Sequence, residues 1–422
     1  MTILKSSILI CSLFLLNAAD AQKTGTGGKL ETFYVWKLEK GDTTGFYHWL
    51  PNLLVTDKGT VLAYSDARML NNREDGAPSH AVLKRSTNNG KTWSASQYIG
   101  YSDKGQNYLF TVAIQDRVTK KIFLFYSLRT HQRAVTSEVL YKTSSDDGVS
   151  WSEPISVTQQ LVDNDSILQK QVEAGTAGPG FPETDARFFA RKLFVTGPGT
   201  AIQLRADHPL HPNRLVIPVF AMKERWGDMN ERGYGNTILY SDDNGKSWQA
   251  GGITPLGDYH SSELTIAELD NGDLLMNARI AEPKYSNART LSISKDAGKT
   301  WTVPELHTKL PPSIRTGNGM AVYNFSEEDR SGRSRLIYSF PNDSLKRRNM
   351  SLALSYDGAK SWPVVKTVYA DLSYYSNVAV TKDKKILLIY SSGEKEGHEV
   401  MIARFDLDWL TEGKDQFKSK SK

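Results

Sequence analysis

Five copies of one eight-residue pattern constrain this chain more tightly than anything else in its 422 residues. They run Ser86-Thr-Asn-Asn-Gly-Lys-Thr-Trp93, Ser144-Ser-Asp-Asp-Gly-Val-Ser-Trp151, Ser241-Asp-Asp-Asn-Gly-Lys-Ser-Trp248, Ser294-Lys-Asp-Ala-Gly-Lys-Thr-Trp301 and Ser355-Tyr-Asp-Gly-Ala-Lys-Ser-Trp362. The consensus, Ser-x-Asp-x-Gly-x-Thr/Ser-Trp, suits a hairpin turn. Its carboxylate can accept backbone N–H bonds within the turn, and its glycine supplies a positive φ at little steric cost. The tryptophan then packs its ring over the turn. One copy would say little, whereas five at long, similar intervals are the signature of a repeat architecture.

The closing tryptophans are separated by roughly 58, 97, 53 and 61 positions. A propeller blade of four strands takes about 40–50 residues plus loops. The doubled interval between Trp151 and Trp248 is therefore expected to hide a blade whose pattern has decayed. Two β-rich runs inside it, Lys192-Leu-Phe-Val-Thr and Arg214-Leu-Val-Ile-Pro-Val-Phe, are bounded by turn residues and fit that reading. Five patterned blades and one unpatterned blade make an all-β, six-bladed β-propeller. The early strand Thr32-Phe-Tyr-Val-Trp-Lys-Leu and the late strands Lys385-Ile-Leu-Leu-Ile-Tyr and Glu399-Val-Met-Ile-Ala-Arg-Phe are expected to share a blade and close the ring. No long helix is visible. A closed ring cannot be split into independent halves, so residues 22–422 are read as one domain with a short basic tail, Lys418-Ser-Lys-Ser-Lys422.

Residues 1–21 read as an export signal, with one lysine (Lys5), an apolar run from Ile8 to Leu16 and a small-residue cleavage site. The run is too short to span a bilayer and no second one follows, so a secreted or periplasmic protein is expected. Cys11, the single cysteine, lies inside the run, which leaves the mature chain no disulfide or thiolate chemistry. The net charge of +5 fits an anionic partner, but the basic residues are dispersed and no nucleic-acid module is visible. His208, His211 and His260 lack tight metal-ligand spacing. Neither metal nor cofactor is expected, and the chain is read as a monomer.

The eight-residue pattern is the Asp-box, and with it several segments resemble the sialidase (neuraminidase) superfamily over nearly the whole mature chain. Leu50 to Arg68 is similar to the opening blade of those enzymes, and Thr196-Gly-Pro-Gly-Thr-Ala-Ile-Gln-Leu204 to their Gly-Pro-Gly loop. Ser262 to Arg279 resembles the segment that carries the catalytic glutamate and the second arginine. Lys346-Arg-Arg-Asn-Met350 resembles the third-arginine segment, and Tyr374-Tyr-Ser-Asn-Val378 the motif of the nucleophile.

The resemblance implies a role for each residue. Three arginines clamp the substrate carboxylate, which suits the planar, permanently charged guanidinium. A tyrosine activated by a glutamate attacks the anomeric carbon, and an aspartate on an early loop is the acid/base. Tyr375 and Glu263 then form the Tyr/Glu pair, Arg279 is the second arginine, and Arg347 or its neighbour Arg348 is the third. The Asp-box carboxylates Asp146, Asp243, Asp296 and Asp357 are scaffold on outer turns.

Two positions leave the pattern. The first arginine should precede Ile-Pro, but the aligned tripeptide is Trp49-Leu-Pro51, with His48 beside it. The acid/base position, counted back from the first Asp-box, holds His80. Glu74 and Asp75, on the preceding loop, are the other candidate acids. With Tyr375 and His80 as proton carriers and arginines on the carboxylate, the leading expectation is β-elimination at a uronic acid, by a lyase or dehydratase acting on the non-reducing end of an acidic oligosaccharide or polysaccharide. Two other readings stand beside it: sialidase-like hydrolysis releasing sialic acid or a related acidic sugar, and binding of acidic glycans without turnover.

Overall fold

The computed structural model describes residues 28–38, 45–69, 78–130, 136–181, 193–222, 235–280, 285 and 287–420. The expected export signal and the loop residues Glu74 and Asp75 lie outside the described residues.

Antiparallel pairing groups the strands into six blades of four. The first blade runs outward through Phe46–Val55, Val61–Met69, Ser79–Ser86 and Gln97–Gly100. The second uses Asn107–Gln115, Ile122–Arg129, Glu138–Ser144 and Ile155–Ser156. Leu193–Thr196, Leu215–Met222, Gly235–Ser241 and Gln249–Ala250 make the third. The fourth comprises Ser261–Glu268, Leu274–Ile280, Arg289–Ser294 and Glu305–Leu306. The fifth runs Met320–Asn324, Arg335–Pro341 and Arg348–Ser355, then the first half of the long strand Val364–Val380. The second half of that strand opens the sixth blade, followed by Ile386–Ser392 and Glu399–Phe405 and closed by Glu31–Lys37 from the other end of the chain. Pairing of the two chain ends shuts the ring, as the sequence predicts.

Each Asp-box joins the third and fourth strands of its blade, and its chemistry is uniform. The serine Oγ accepts the N–H four residues on, at 2.7–2.9 Å. In four copies the aspartate accepts both the N–H and the hydroxyl of the Ser or Thr four residues beyond it. Asn88 takes that place in the first copy and accepts from Thr92 N at 3.0 Å. The turn glycine is also a plug. A Cβ on Gly90 would lie 3.1 Å from Ile402 of the sixth blade, on Gly148 3.1 Å from Leu62 of the first, and on Gly298 2.2 Å from Ile238 of the third. These boxes therefore seat on the blade before them, so the absence of a side chain there serves packing as well as turn geometry, whereas the fifth copy carries the buried Ala359 at that place (φ 69°).

The core follows the same logic. It is a set of apolar layers between neighbouring blades, such as Val61 and Ala63 against Leu387 and Ile389 at the closing seam. Close packing of these wedges fixes the angle between blades.

The count of six blades is right, but the reason given by the doubled interval is not. The third blade carries its own box, Ser241 to Trp248. The blade without a box is the sixth, because its third and fourth strands come from opposite chain ends and no hairpin connects them. The extra length between Trp151 and Trp248 holds a 16-residue helix, Thr158–Glu173, that no sequence pattern announced. Its buried face is only Leu161, Asp165, Leu168 and Val172, while Ile167 is exposed, so the 3.6-residue period is blurred. Among the described residues no helix is long and apolar enough to cross a membrane.

Candidate active site

A repeated irregularity of the innermost strands aims the chemistry. In five blades that strand bulges; the fifth blade's bulge falls between Val322 and Asn324, and the other four set two residues opposite one on the neighbouring strand. Leu50 and Pro51 oppose Ser65, and Phe110 and Thr111 oppose Tyr126. Ser262 and Glu263 oppose Arg279, and Tyr374 and Tyr375 oppose Ser391. A bulge bends its strand and redirects a side chain. The first two pass through the left-handed region at Leu50 (φ 52°) and Phe110 (φ 56°), which costs a bulky residue on the order of 1–3 kcal/mol. Burial of both side chains in the core holds that geometry, and the Asp66 carboxylate accepts the Phe110 N–H at 3.1 Å.

The other two bulges bring Glu263 and Tyr375 together. Tyr375 donates its phenolic proton to Glu263 Oε1 at 2.8 Å. Arg279 Nη1 donates to Glu263 Oε2 at 2.6 Å and to Tyr375 Oη at 3.0 Å. Burial pushes the Tyr375 phenol well above its ordinary range, Glu263 adds to the shift, and Arg279 and Arg347 oppose it. The phenol thus rests protonated, with its acceptor already in place and a guanidinium on its oxygen. A glycine makes room for the ring: a Cβ on Gly317 would lie 2.7 Å from Tyr375 Cε1.

Arg347, not Arg348, faces this trio. Its guanidinium lies 5.6 Å from the Tyr375 ring centroid. One arm pairs with Glu396 Oε2 at 2.6 Å, and the other donates to the Arg315 carbonyl at 2.9 Å. Burial works against its charge, but Glu396 and then Tyr375 outweigh that and its pKa rises. Arg348 points the other way and pairs with Asp343 at half-exposure, as strand alternation requires. Burial raises the Glu396 carboxyl, offset in part by Arg347 and Arg68.

The residues that break the expected pattern are placed differently. Trp49, in the slot of the first arginine, carries the Arg68 guanidinium 4.2 Å from its ring centroid. His48 lies at the seam of the first and sixth blades, stacked on Trp36 at 4.6 Å and 2.9 Å from Ser65 Oγ. Burial, with Lys84 nearby, pulls its pKa down to about 3. His80 does not join the trio's hydrogen bonds. It is buried in a cage of rings, stacked on Tyr101 at 4.6 Å with Phe46 and Tyr98 at its edges. Its Nδ1 accepts the Ser102 N–H at 3.0 Å, and burial lowers its pKa. The structure therefore gives His80 a packing partner where the sequence expected an acid, because the ring lies on the same sheet face as Ala67, opposite to its neighbours Ser79 and Arg68.

Sequence reasoning missed Glu396, Arg315 and Gly317. Glu396 sits in Gly393-Glu-Lys-Glu-Gly-His398, which reads as a solvated turn. Arg315 and Gly317 belong to Arg315-Thr-Gly-Asn-Gly319, whose paired glycines are a signal for close backbone approach. Among the described residues no three His, Cys, Asp or Glu side chains are grouped to hold a metal ion.

Comparison with known proteins places this geometry in context. Residues 59–389 match the model of the BNR repeat-like domain. The chain is 26% identical over 378 residues to a sialidase of Bacteroides fragilis, covering 83% of this chain and 61% of that protein. It is 27% identical over 386 residues to a sialidase of Micromonospora viridifaciens, covering 86% and 52%. The chain thus spans between half and two thirds of the length of these relatives. Among solved structures, the Hadza microbial sialidase Hz136 superimposes with a TM-score of 0.70 at 19% identity, over 90% of this chain and 69% of that one. The leech intramolecular trans-sialidase does so at 0.67 and 17%, over 92% and 71%. At such identities the likeness is one of fold.

Proposed function

The chain belongs to the family of BNR repeat-like domains within the sialidase superfamily, and on that premise we propose that it is an exo-acting glycoside hydrolase that removes a terminal acidic sugar, of the sialic acid type, with Tyr375 as nucleophile. The observation that carries the reading is the hydrogen-bonded trio of Tyr375, Glu263 and Arg279. As the phenolic oxygen bonds to the anomeric carbon, Glu263 Oε1 takes the phenolic proton and the bond to the departing oxygen breaks. Arg279 touches both partners, so it stabilises negative charge on either oxygen throughout the transfer. Water then bonds to the anomeric carbon as the bond to Tyr375 Oη breaks: its proton goes to the group that protonated the departing oxygen, and Glu263 returns the phenolic proton to Tyr375. For the acid that protonates the departing oxygen, the sequence offers His80, Glu74 and Asp75. The imidazole is engaged with Ser102, and the two carboxylates lie outside the described residues.

Hydrolysis is preferred to elimination because the elimination reading pairs Tyr375 with His80, and these two rings are held in different hydrogen-bonded settings. It is preferred to binding alone because a carboxylate site has no use for a phenol hydrogen-bonded to a glutamate. Replacement Tyr375→Phe tests the reading on an aryl glycoside of sialic acid. The expected loss in kcat is at least about a thousandfold, and a slow fluorinated substrate should leave a glycosyl adduct on the Tyr375 peptide in mass spectra. Undiminished turnover by the phenylalanine variant, or a product with a conjugated double bond, would overturn it.

A further inference from the structure

We infer that Arg315, on the loop leading into the fifth blade, is the third arginine of the substrate-carboxylate site and substitutes for the first-blade arm that Trp49 replaces. The inference rests on the acidic-sugar reading above. Three consecutive residues of the loop are tied to the site by their backbone or by contact. The Arg315 carbonyl accepts Arg347 Nη2 at 2.9 Å, the Thr316 carbonyl accepts Arg289 Nη1 at 2.9 Å, and Gly317 lies against the Tyr375 ring. Two arginines thus anchor the main chain immediately beside the nucleophile, so the Arg315 side chain starts from a fixed point.

That side chain is half-buried, and its charge acts on Arg279, Arg347, Glu263 and Tyr375 together. Burial and the two like charges lower its pKa. Arg279 touches the Tyr375 oxygen and Arg347 lies against its ring; an arriving carboxylate relieves the repulsion that both exert on Arg315 while accepting planar, paired hydrogen bonds. The first blade has turned its own positive charge elsewhere: Arg68 lies on the Trp49 indole and its field falls on Glu396. A further arm from the fifth blade fits this arrangement, and Arg315 is the arginine whose backbone already contacts Arg347.

Calorimetry with N-acetylneuraminic acid and its methyl ester tests this on the full chain and on Arg315→Ala, with Arg315→Lys to restore charge. Arg315→Gln serves if the alanine variant folds poorly. The wild type should prefer the acid, and Arg315→Ala should bind the acid about ten- to a hundredfold more weakly while ester binding changes less than about twofold. KM for an acidic aryl glycoside should rise in step, with kcat far less affected, and Arg315→Lys should recover part of the loss. If Arg315→Ala keeps the acid-over-ester preference of the wild type, this inference alone is overturned. If the wild type does not distinguish acid from ester, the acidic-sugar reading falls as well.

Discussion

Replacing Gly317 by alanine is a geometric test of the nucleophile, because it adds one methyl group beside Tyr375 and removes nothing. The new Cβ would lie 2.7 Å from Cε1 and 2.8 Å from Cδ1 of the ring, and 2.5 Å from Pro198 Cγ. Non-bonded carbons rest at about 3.5–4.0 Å, so the neighbours must give way by about 1 Å. Pro198 is poorly placed to do so, since its carbonyl accepts Asn52 Nδ2 at 3.1 Å and Asn377 Nδ2 at 3.4 Å. The ring is then the part that shifts, and its bonds to Glu263 and Arg279 lengthen with it. Misplacement of a reacting group by about 1 Å costs about a hundredfold in rate, whereas overpacking costs about 1–3 kcal/mol of stability. The expected result is a kcat lowered about a hundredfold in a protein that still unfolds cooperatively in urea, at a modestly lower midpoint. A normal kcat in Gly317→Ala would refute the claim that the Tyr375 position governs turnover.

Two further outcomes follow from groups outside the trio. His80→Ala should leave kcat within about threefold but lower stability by about 1–3 kcal/mol, since the buried Ser102 N–H loses its acceptor; a kcat loss of several orders of magnitude would make His80 a proton carrier, and a conjugated product beside it would restore the elimination reading. Asp329 and Asp415 share Arg335 in a buried cluster, with Arg335 Nη1 2.5 Å from Asp329 Oδ2 and Nη2 2.7 Å from Asp415 Oδ1. Burial alone would raise the Asp329 carboxyl, but Arg335 and neighbouring hydrogen bonds hold it at about 2. Because the folded value lies below the unfolded one of about 4, its stabilisation is complete above that pH and is lost as pH falls towards 2. Arg335→Met should cost about 3–5 kcal/mol near neutrality and shrink that loss, since the hydrogen bonds from Ser331 and Lys418 remain, which urea midpoints measured between pH 4 and 2 would show. An unchanged acid slope in Arg335→Met would refute the linkage.

The fold was legible because its repeat is written in turn chemistry. Serine, aspartate and glycine at fixed offsets specify a hairpin whatever surrounds it, so five boxes survive as local signals even where Asn88 stands for the aspartate and Ala359 for the glycine. The sixth blade left no such trace, since its outer hairpin is split between the chain ends. Tyr375, Glu263 and Arg279 were legible for a related reason, as each sits in a bulged strand or directly opposite one, within a recognisable segment. His80 stands apart from the trio's hydrogen bonds, its Nδ1 taken by the Ser102 N–H, because an offset along the chain does not say which face of a strand a residue occupies. Glu396 and Arg315 lie on loops, where nothing periodic marks them, and their relevance arises only from packing between blades.

On the reading proposed above, Trp49 in the slot of the first arginine alters the site less than the sequence alone implies. Deleting a cation from beside a buried carboxylate would leave Glu396 uncompensated, at a cost of several kcal/mol. Glu396 instead pairs with Arg347 at 2.6 Å and lies in the field of Arg68, which the Trp49 indole supports from below. The exchange is self-consistent, because a flat aromatic face can carry a guanidinium but an arginine in its place would repel one. Positive charge on the first blade sits on its second strand, at Arg68, and acts on Glu396, and Glu396 in turn pairs with Arg347 beside Tyr375. On the reading proposed above, an anionic substrate is then met by arginines of the fourth and fifth blades, Arg279 among them.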